Sequence, residues 1–574
     1  MGGLFFICSM TAMDRIQAWS QHRWFIPAFA LLLFVVNVLQ SATTGLLHDE
    51  AYYWYVSNQP DGGYMFGPPG IAVIISLGYS LLHNDVGIRL GSCLFTSLSI
   101  IGFHRLINPK NNLLFVSIIL SVTPYMIAGF VAALDPPLIF FTILFLLTYR
   151  WFLREESWKC TLCLSVCMAL MIYVKYHGVL AIVFVLASNP SLFKNPRWYI
   201  ASLAGAVIYL PHTLWLIEHD FQPIVFHLID RSPESFSIGK VLNYLLSQML
   251  MAGIPAGLLL IFASYKATAN PPFDRALKFI LYGTYGFFLI HSFRGQTEAN
   301  WTAICLVPLV AFSYQYLEQE IKLQKWVYTL LPFSVLCVAI PRIFIATDFF
   351  VDQLKIKTEL HHWDEWAAQV KEKAHGRPVV FMNSYQKASK YIYYTGEKAI
   401  SLNNVMNHVN DFHFNSAELD LEGQPVYFYS HYGIVPKYTT SSSEEHTLMD
   451  DYTGCMVDSF MSWMKVNIKP AEKEYTIDAG IASFDVKYNI SIPEVYKHRD
   501  TRKAFISYQM IDDKRLPYFD SVTQLTLHDA LAQQQNTIRI KTPKDKGHYT
   551  LFVSTYNDGY PPHINSPRMQ LVVE

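Results

Sequence analysis

Up to about residue 346 the chain is one apolar run after another, with little charge inside the runs. A helix of about 20 apolar residues crosses the hydrocarbon core of a bilayer. In lipid, every backbone N–H and C=O must be paired within a helix or a closed barrel, so repeated runs of this length dictate a helical bundle. About eleven runs can be counted by that length criterion: 24–43, 86–107, 113–132, 137–153, 159–174, 178–189, 198–217, 240–263, 276–291, 301–317 and 326–346. The apolar stretch 68–82 is shorter and is expected as an interfacial or re-entrant helix. Arg15 and Arg23 precede the first run and no convincing small-residue cleavage site follows it, which reads as an uncleaved anchor.

Lys and Arg fall unevenly between the runs. Arg23, Arg105, Arg150, Arg154, Lys194 and Lys278 are among many at one face, whereas the loops at the other hold Lys175, Arg231, Lys240 and Arg294. The positive-inside rule then puts the N-terminus in the cytoplasm and, with eleven spans, everything after residue 346 outside. On that reading Asp49, Glu50, Asp135, Lys175, His177, Arg231, Arg294 and Glu298 all reach the outer membrane level, and a bundle can gather them into one cavity.

The chain divides by pattern into a membrane domain (1–346), an outer α/β segment (347–455) and an outer β-rich domain (456–574). In the second, 379–382 and 426–429 read as buried strands and 384–394 as a helix closed by Gly396. In the third, short strands near 482–486, 503–509, 537–540, 549–555 and 569–573 predict a β-sandwich-like fold. Cys455 is the only cysteine after residue 346, so the outer part has no internal disulfide. Cys160, Cys163 and Cys167 share a helix face, which is read as packing. There is no basic arm or stripe, and nucleic acid is not an expected partner.

The chemistry centres on Asp49-Glu50-Ala51-Tyr52-Tyr53-Trp54, where the chain leaves its first run. Paired carboxylates are costly near lipid without a task. Neither phosphate-cradling glycine motif, G-x-x-x-x-G-K-[ST] nor G-x-G-x-x-G, occurs. An outer-face enzyme needs a group donor carried by the membrane, and a sugar on a polyprenyl phosphate meets that need. Such a reaction requires a base for the acceptor hydroxyl and cations for the departing phosphate.

The first motif, with Gly63-Tyr64 and Pro68-Pro69, resembles the first outer loop of lipid-linked-sugar glycosyltransferases of the C-type (GT-C) fold. The likeness is to the bacterial branch that includes the aminoarabinose and galacturonic acid transferases of lipopolysaccharide, with protein O-mannosyltransferases more distant. Leu134-Asp135-Pro136-Pro137, Tyr173-Val174-Lys175-Tyr176-His177 and Glu298-Ala299-Asn300-Trp301 resemble further loops of that branch, Ala299 replacing its proline. Asn383-Ser384-Tyr385-Gln386-Lys387 and Tyr393-Tyr394-Thr395-Gly396 are similar in its outer domain. The resemblance spans roughly residues 20–430 and leaves out the β-rich tail. It implies Asp49 as catalytic carboxylate, Glu50 as its support, Asp135 in the same cavity and Lys175 on the lipid phosphate. Arg294, Arg231 and Arg342 are further phosphate-binding candidates, and Tyr52, Tyr53, His177, Glu298 and Asn300 candidate substrate contacts. Phe66-Gly67 stand where many relatives have Asp-His, so a metal or a second base is left open, and a divalent ion is the only cofactor entertained.

Each residue also has a plainer reading. Asp135 before two prolines fits a helix N-cap. Lys175 fits a snorkelling side chain, His177 a packed interfacial ring, and Arg342 a helix anchor. The functional expectation is an inverting membrane glycosyltransferase of a bacterial cytoplasmic membrane, with its C-terminal part periplasmic. Its partners would be a polyprenyl-phosphate sugar donor, membrane lipid, and an acceptor that is an envelope glycolipid such as lipid A or a protein. The alternatives are a transporter or flippase of lipid-linked saccharide, which needs mid-span charges or broken helices, and a membrane-anchored binding protein.

Overall fold

The computed structural model describes residues 17–574 apart from 156, 228–235, 432, 434, 437–441, 513–515 and 558–559. The chain forms two compact units, one ending at His361 and the other beginning at His362.

The first unit is helical. Its helices are α1 (Phe25–Thr43), α2 (His48–Ser57), α3 (Gly70–Leu81), α4 (Asp85–Ile107), α5 (Asn112–Ser121), α6 (Thr123–Ala128), α7 (Asp135–Arg154), α8 (Trp158–Val174) and α9 (Gly178–Ser188). They continue as α10 (Pro196–Glu218), α11 (Gln222–Val225), α12 (Ile238–Met251), α13 (Gly257–Lys266), α14 (Phe273–Ser292), α15 (Leu306–Leu317), α16 (Ile321–Ala346) and α17 (Phe349–Leu354). Among the described residues, α1, α4, α7, α10 and α16 are long and apolar enough to cross a membrane. A core that includes Phe103, Phe115, Tyr149 and Trp198 ties the bundle together. The apolar stretch after Pro69 forms the 12-residue α3, too short to span.

Three expected spans are interrupted. The run 113–132 breaks between α5 and α6 at Val122, where Pro124 prevents one continuous ladder. The run 240–263 breaks between α12 and α13 around Gly253 and Pro255. Gly253 has φ +124°, and a Cβ there would lie 1.9 Å from the Ser121 carbonyl oxygen. The two breaks therefore meet, and Ile254 donates its N–H to Thr123 Oγ1 at 3.0 Å. The run 301–317 opens as a 3₁₀ turn, Ala299–Cys305, before α15.

The second unit opens with α18 (Trp363–Ala374). A five-stranded sheet in the order β2-β1-β3-β5-β4 follows, from β1 (Val379–Met382), β2 (Ala399–Leu402), β3 (Val426–Ser430), β4 (Ser442–His446) and β5 (Asp451–Val457). Strand β1 pairs in parallel with both β2 and β3. Helix α19 (Tyr385–Thr395) joins β1 to β2 and stops at Gly396, which takes φ +69°. Two further sheets have the orders β10-β9-β12-β13-β7 and β11-β8-β6. Their strands are β6 (Asn467–Pro470), β7 (Glu474–Ile477), β8 (Ser483–Ser491), β9 (Ala504–Asp512), β10 (Pro517–Thr526), β11 (Asn536–Lys541), β12 (Gly547–Asn557) and β13 (Met569–Val573). Alternate residues of β8 and β11 point inward, and Val486, Ile538, Tyr508 and Leu551 from the two sheets share one core, as in a sandwich.

Candidate active site

Successive residues on a helix point about 100° apart. At the start of α2 this separates the acidic pair, leaving Asp49 exposed and Glu50 buried. Glu50 reaches back to accept the Leu47 N–H at 2.9 Å, fixing the first turn. Its carboxylate also accepts from Arg89 Nε at 2.7 Å and Nη2 at 2.6 Å, and from the Ala132 N–H at 2.8 Å. Burial alone raises such a carboxyl group, but the Arg89 charge and these hydrogen bonds outweigh it and hold Glu50 below the usual range. Arg89 is itself buried and donates to the carbonyls of Ser41, Thr44 and Gly45. One ion pair thus joins the end of α1, the start of α2, the start of α4 and the loop before α7.

Three residues beyond Ala132, Asp135 begins α7 with Pro136 and Pro137 behind it. No side chain caps this helix, so the N-cap role does not describe Asp135. Its Oδ1 accepts from Lys175 Nζ at 2.7 Å and its Oδ2 from Asn300 Nδ2 at 2.7 Å. Lys175 leaves α8 in an extended conformation with its side chain 8% exposed, and its ammonium is engaged by Asp135. Three separate loops therefore converge on one carboxylate.

An aromatic surface lies beside α2. The Phe66 ring is 4.6 Å from Tyr53, 6.1 Å from Tyr52 and stacked at 5.5 Å on Tyr64. Gly67 takes φ +141° against the Tyr176 ring. His212 Nδ1 is 2.8 Å from the Gly62 carbonyl, which can only accept, so Nδ1 carries a proton. Its Nε2 is 2.9 Å from the Tyr176 hydroxyl. The loop of the first motif is thereby fastened to the Lys175 loop. Where relatives carry a polar pair, the Phe66 carbonyl instead meets His227 Nε2 at 3.3 Å.

The other candidates are placed as follows. His177 packs between Phe288 and Trp301, at 5.3 and 5.6 Å, matching its plainer reading. Glu298 precedes the 3₁₀ turn and is half-buried. Arg294 is exposed just past α14. Arg342 is buried in α16, donates to the Met126 carbonyl and to Asn37 Oδ1, and, like Arg89, lies over the Phe130 ring. Arg231 lies outside the described residues. Among the described residues, no three His, Cys, Asp or Glu side chains come together as a metal site. Sequence reasoning assigned no role to Arg89 and overlooked Phe130. An arginine inside an apolar helix is itself a signal, because a charge at that depth requires a partner.

The site is thus built from loops of a helical bundle: the turn that carries Glu50 meets the loop before α7 through Ala132, and Lys175 and Asn300 meet Asp135 just beyond it. Residues 67–215 match the family model described as dolichyl-phosphate-mannose-protein mannosyltransferase. The chain is similar in structure to ArnT from Cupriavidus metallidurans, a protein crystallised with undecaprenyl phosphate, at TM-score 0.52 and 13% identity over 75% of this chain and 97% of that one. An oligosaccharyltransferase from Archaeoglobus fulgidus aligns over 94% of this chain and 100% of its own, at 7% identity and TM-score 0.39, which adds nothing to the assignment. No curated protein sequence matches the chain. The chain thus has the GT-C fold and resembles ArnT in structure, and its residues 67–215 are similar to the mannosyltransferase family model.

Proposed function

We propose that the protein is a glycosyltransferase that moves a sugar from a polyprenyl-phosphate donor to an acceptor at the outer face of a bacterial cytoplasmic membrane. The acceptor is an envelope glycolipid such as lipid A, or a protein. The observation that carries this reading is the convergence of Lys175 and Asn300 on Asp135, beside the loop that Glu50 and Arg89 fix. The division into a membrane domain (1–346), an outer α/β segment (347–455) and a β-rich domain (456–574), with the last two periplasmic, belongs to the same proposal, as does the number of eleven spans.

In this mechanism Asp49 is the base. As the acceptor oxygen bonds to the anomeric carbon, its proton passes to the Asp49 carboxylate. The bond from that carbon to the phosphate oxygen breaks on the opposite side, so the configuration inverts and polyprenyl phosphate departs. An ammonium group has three donors. Asp135 holds Lys175 in place through one of them, and the others serve the phosphate oxygens. Glu50 does not react; it positions Asp49 by fixing α2. Tyr52 and Tyr53 offer ring surface to the sugar.

The interrupted helices α5–α6 and α12–α13 favour a second reading, transport of a lipid-linked saccharide, since broken helices mark transporter sites. Reconstituted protein separates the two. Supplied with undecaprenyl-phosphate sugars and lipid A or peptide acceptors, a transferase yields glycosylated acceptor and free undecaprenyl phosphate in equal amounts by mass spectrometry. Movement of intact donor between leaflets without product supports transport and rejects the proposal.

A further inference from the structure

The second unit contains a group of reactive side chains that the proposed reaction does not use. The order β2-β1-β3 reverses the chain's direction of travel between β1 and β3. The chain leaves β1 through α19 to β2 on one side, then returns past β1 to β3 on the other. In open α/β sheets the loops at such a point diverge at the carboxyl ends of the strands and leave a crevice where ligands bind.

Here the end of β1 is Asn383, a non-glycine residue in the left-handed region at φ +58°. It is locked by reciprocal bonds, its Nδ2 donating to Asn404 Oδ1 and its Oδ1 accepting the Asn404 N–H, each at 3.0 Å. The end of β3 brings Tyr429 and His431, and the first turn of α19 brings Lys387. All three meet the carboxylate of Asp450, which lies just before β5. His431 Nδ1 is 2.9 Å from Asp450 Oδ1, and Lys387 and the Tyr429 hydroxyl donate to Oδ2. Tyr429 is buried beneath, the Lys387 and Asp450 side chains are 16% and 10% exposed, and His431 is 46% exposed at the mouth.

The group presents a carboxylate acceptor directly beside ammonium and imidazole donors. A vicinal diol complements such a pair, because each hydroxyl both donates and accepts. An anion complements it poorly, since it offers acceptors alone and meets the charge of Asp450. We propose that this crevice is a saccharide-binding site, with Asp450 and Lys387 as its hydrogen-bonding centre and His431 at its rim. The site is separate from the chemistry proposed for the first unit and stands or falls without it.

The test uses the full chain in nanodiscs of sugar-free lipid, with saturation-transfer NMR on mannose, galactose, glucose and N-acetylglucosamine. At least one sugar should receive saturation at its ring protons. Loss of a hydrogen bond should weaken its binding about tenfold in Lys387→Met and in His431→Phe. His431→Phe changes an exposed side chain and serves if Lys387→Met does not fold. No transfer to any sugar, or transfer unaltered in the folded variants, overturns the site. Donor turnover measured on the same samples reports separately on the transferase reading.

Discussion

The Glu50–Arg89 pair gives the sharpest stability prediction. Glu50→Gln removes the charge but little volume. It leaves the Arg89 guanidinium with no opposing carboxylate in a position of 0% side-chain exposure. Four hydrogen bonds reach the Glu50 carboxylate, from Arg89 Nε and Nη2, Leu47 N–H and Ala132 N–H. Gln can accept through only one oxygen, and its NH₂ faces donors. Removing one partner of a buried pair costs about 3–5 kcal/mol, whereas replacing both with apolar residues is often close to neutral. Glu50→Gln and Arg89→Met should therefore each lower the thermal midpoint of the detergent-purified protein and reduce the yield of monodisperse material. The double variant Glu50→Gln/Arg89→Met should lose less than the sum of the two single losses, a coupling that a double-mutant cycle reads directly. A Glu50→Gln protein that melts like the wild type yet has lost turnover would refute the positioning role and give Glu50 a part in the reaction.

Lys175→Ala should cost about 2–4 kcal/mol of transition-state stabilisation, the scale of one preorganised donor, read as a fall in turnover of the lipid donor; normal donor kinetics would return Lys175 to a structural role. In the second unit, burial first and neighbouring charge second hold His413 and His563 down to about 3. The unfolded chain takes up those protons near pH 6.5, so stability is complete above that value and falls as pH drops below it, by about 1.4 kcal/mol per pH unit for each histidine. Hydrogen exchange of the sandwich strands should quicken between pH 6.5 and 5, an effect that the buried carboxyl group of Glu418, raised by its desolvation, opposes in sign. Lys497→Cys, at an exposed position, should react with a membrane-impermeant maleimide in intact spheroplasts, while the buried Cys455 stays silent; labelling only after the inner face is opened would reverse the orientation.

Much of this was legible in the sequence where the signal is local. Apolar length located the membrane helices, and the brevity of the stretch after Pro69 identified α3 as too short to span. The strand Val379–Met382 and the helix closed by Gly396 followed from an apolar run and a breaker. Asp135 and Lys175 were legible as span-end charges that a bundle could gather and Asn300 as a candidate contact, although the direct bonds among them were not, because they join positions 40 and 165 residues apart. The pairing of Glu50 with Arg89 was hidden for the same reason. The breaks at Val122 and Gly253 lie inside runs whose hydropathy never falters, so length outweighed Pro124 and Pro255 in the reading. Strand β4, Ser-Ser-Glu-Glu-His, has no apolar alternation. Only its pairing with β5 makes it a strand, while the pairing of β5 with β3 carries the first sheet to Val457.

The central claim is that Asp49 takes the acceptor's proton, and turnover by Asp49→Asn tests it most directly. The substitution keeps the shape of an exposed side chain on the first turn of α2 and removes the base. General-base assistance is worth roughly 10²–10⁴-fold. Purified Asp49→Asn should therefore keep the wild-type melting temperature and bind undecaprenyl-phosphate sugar, yet form glycosylated acceptor at least about a hundredfold more slowly. Wild-type turnover by that protein would contradict the account.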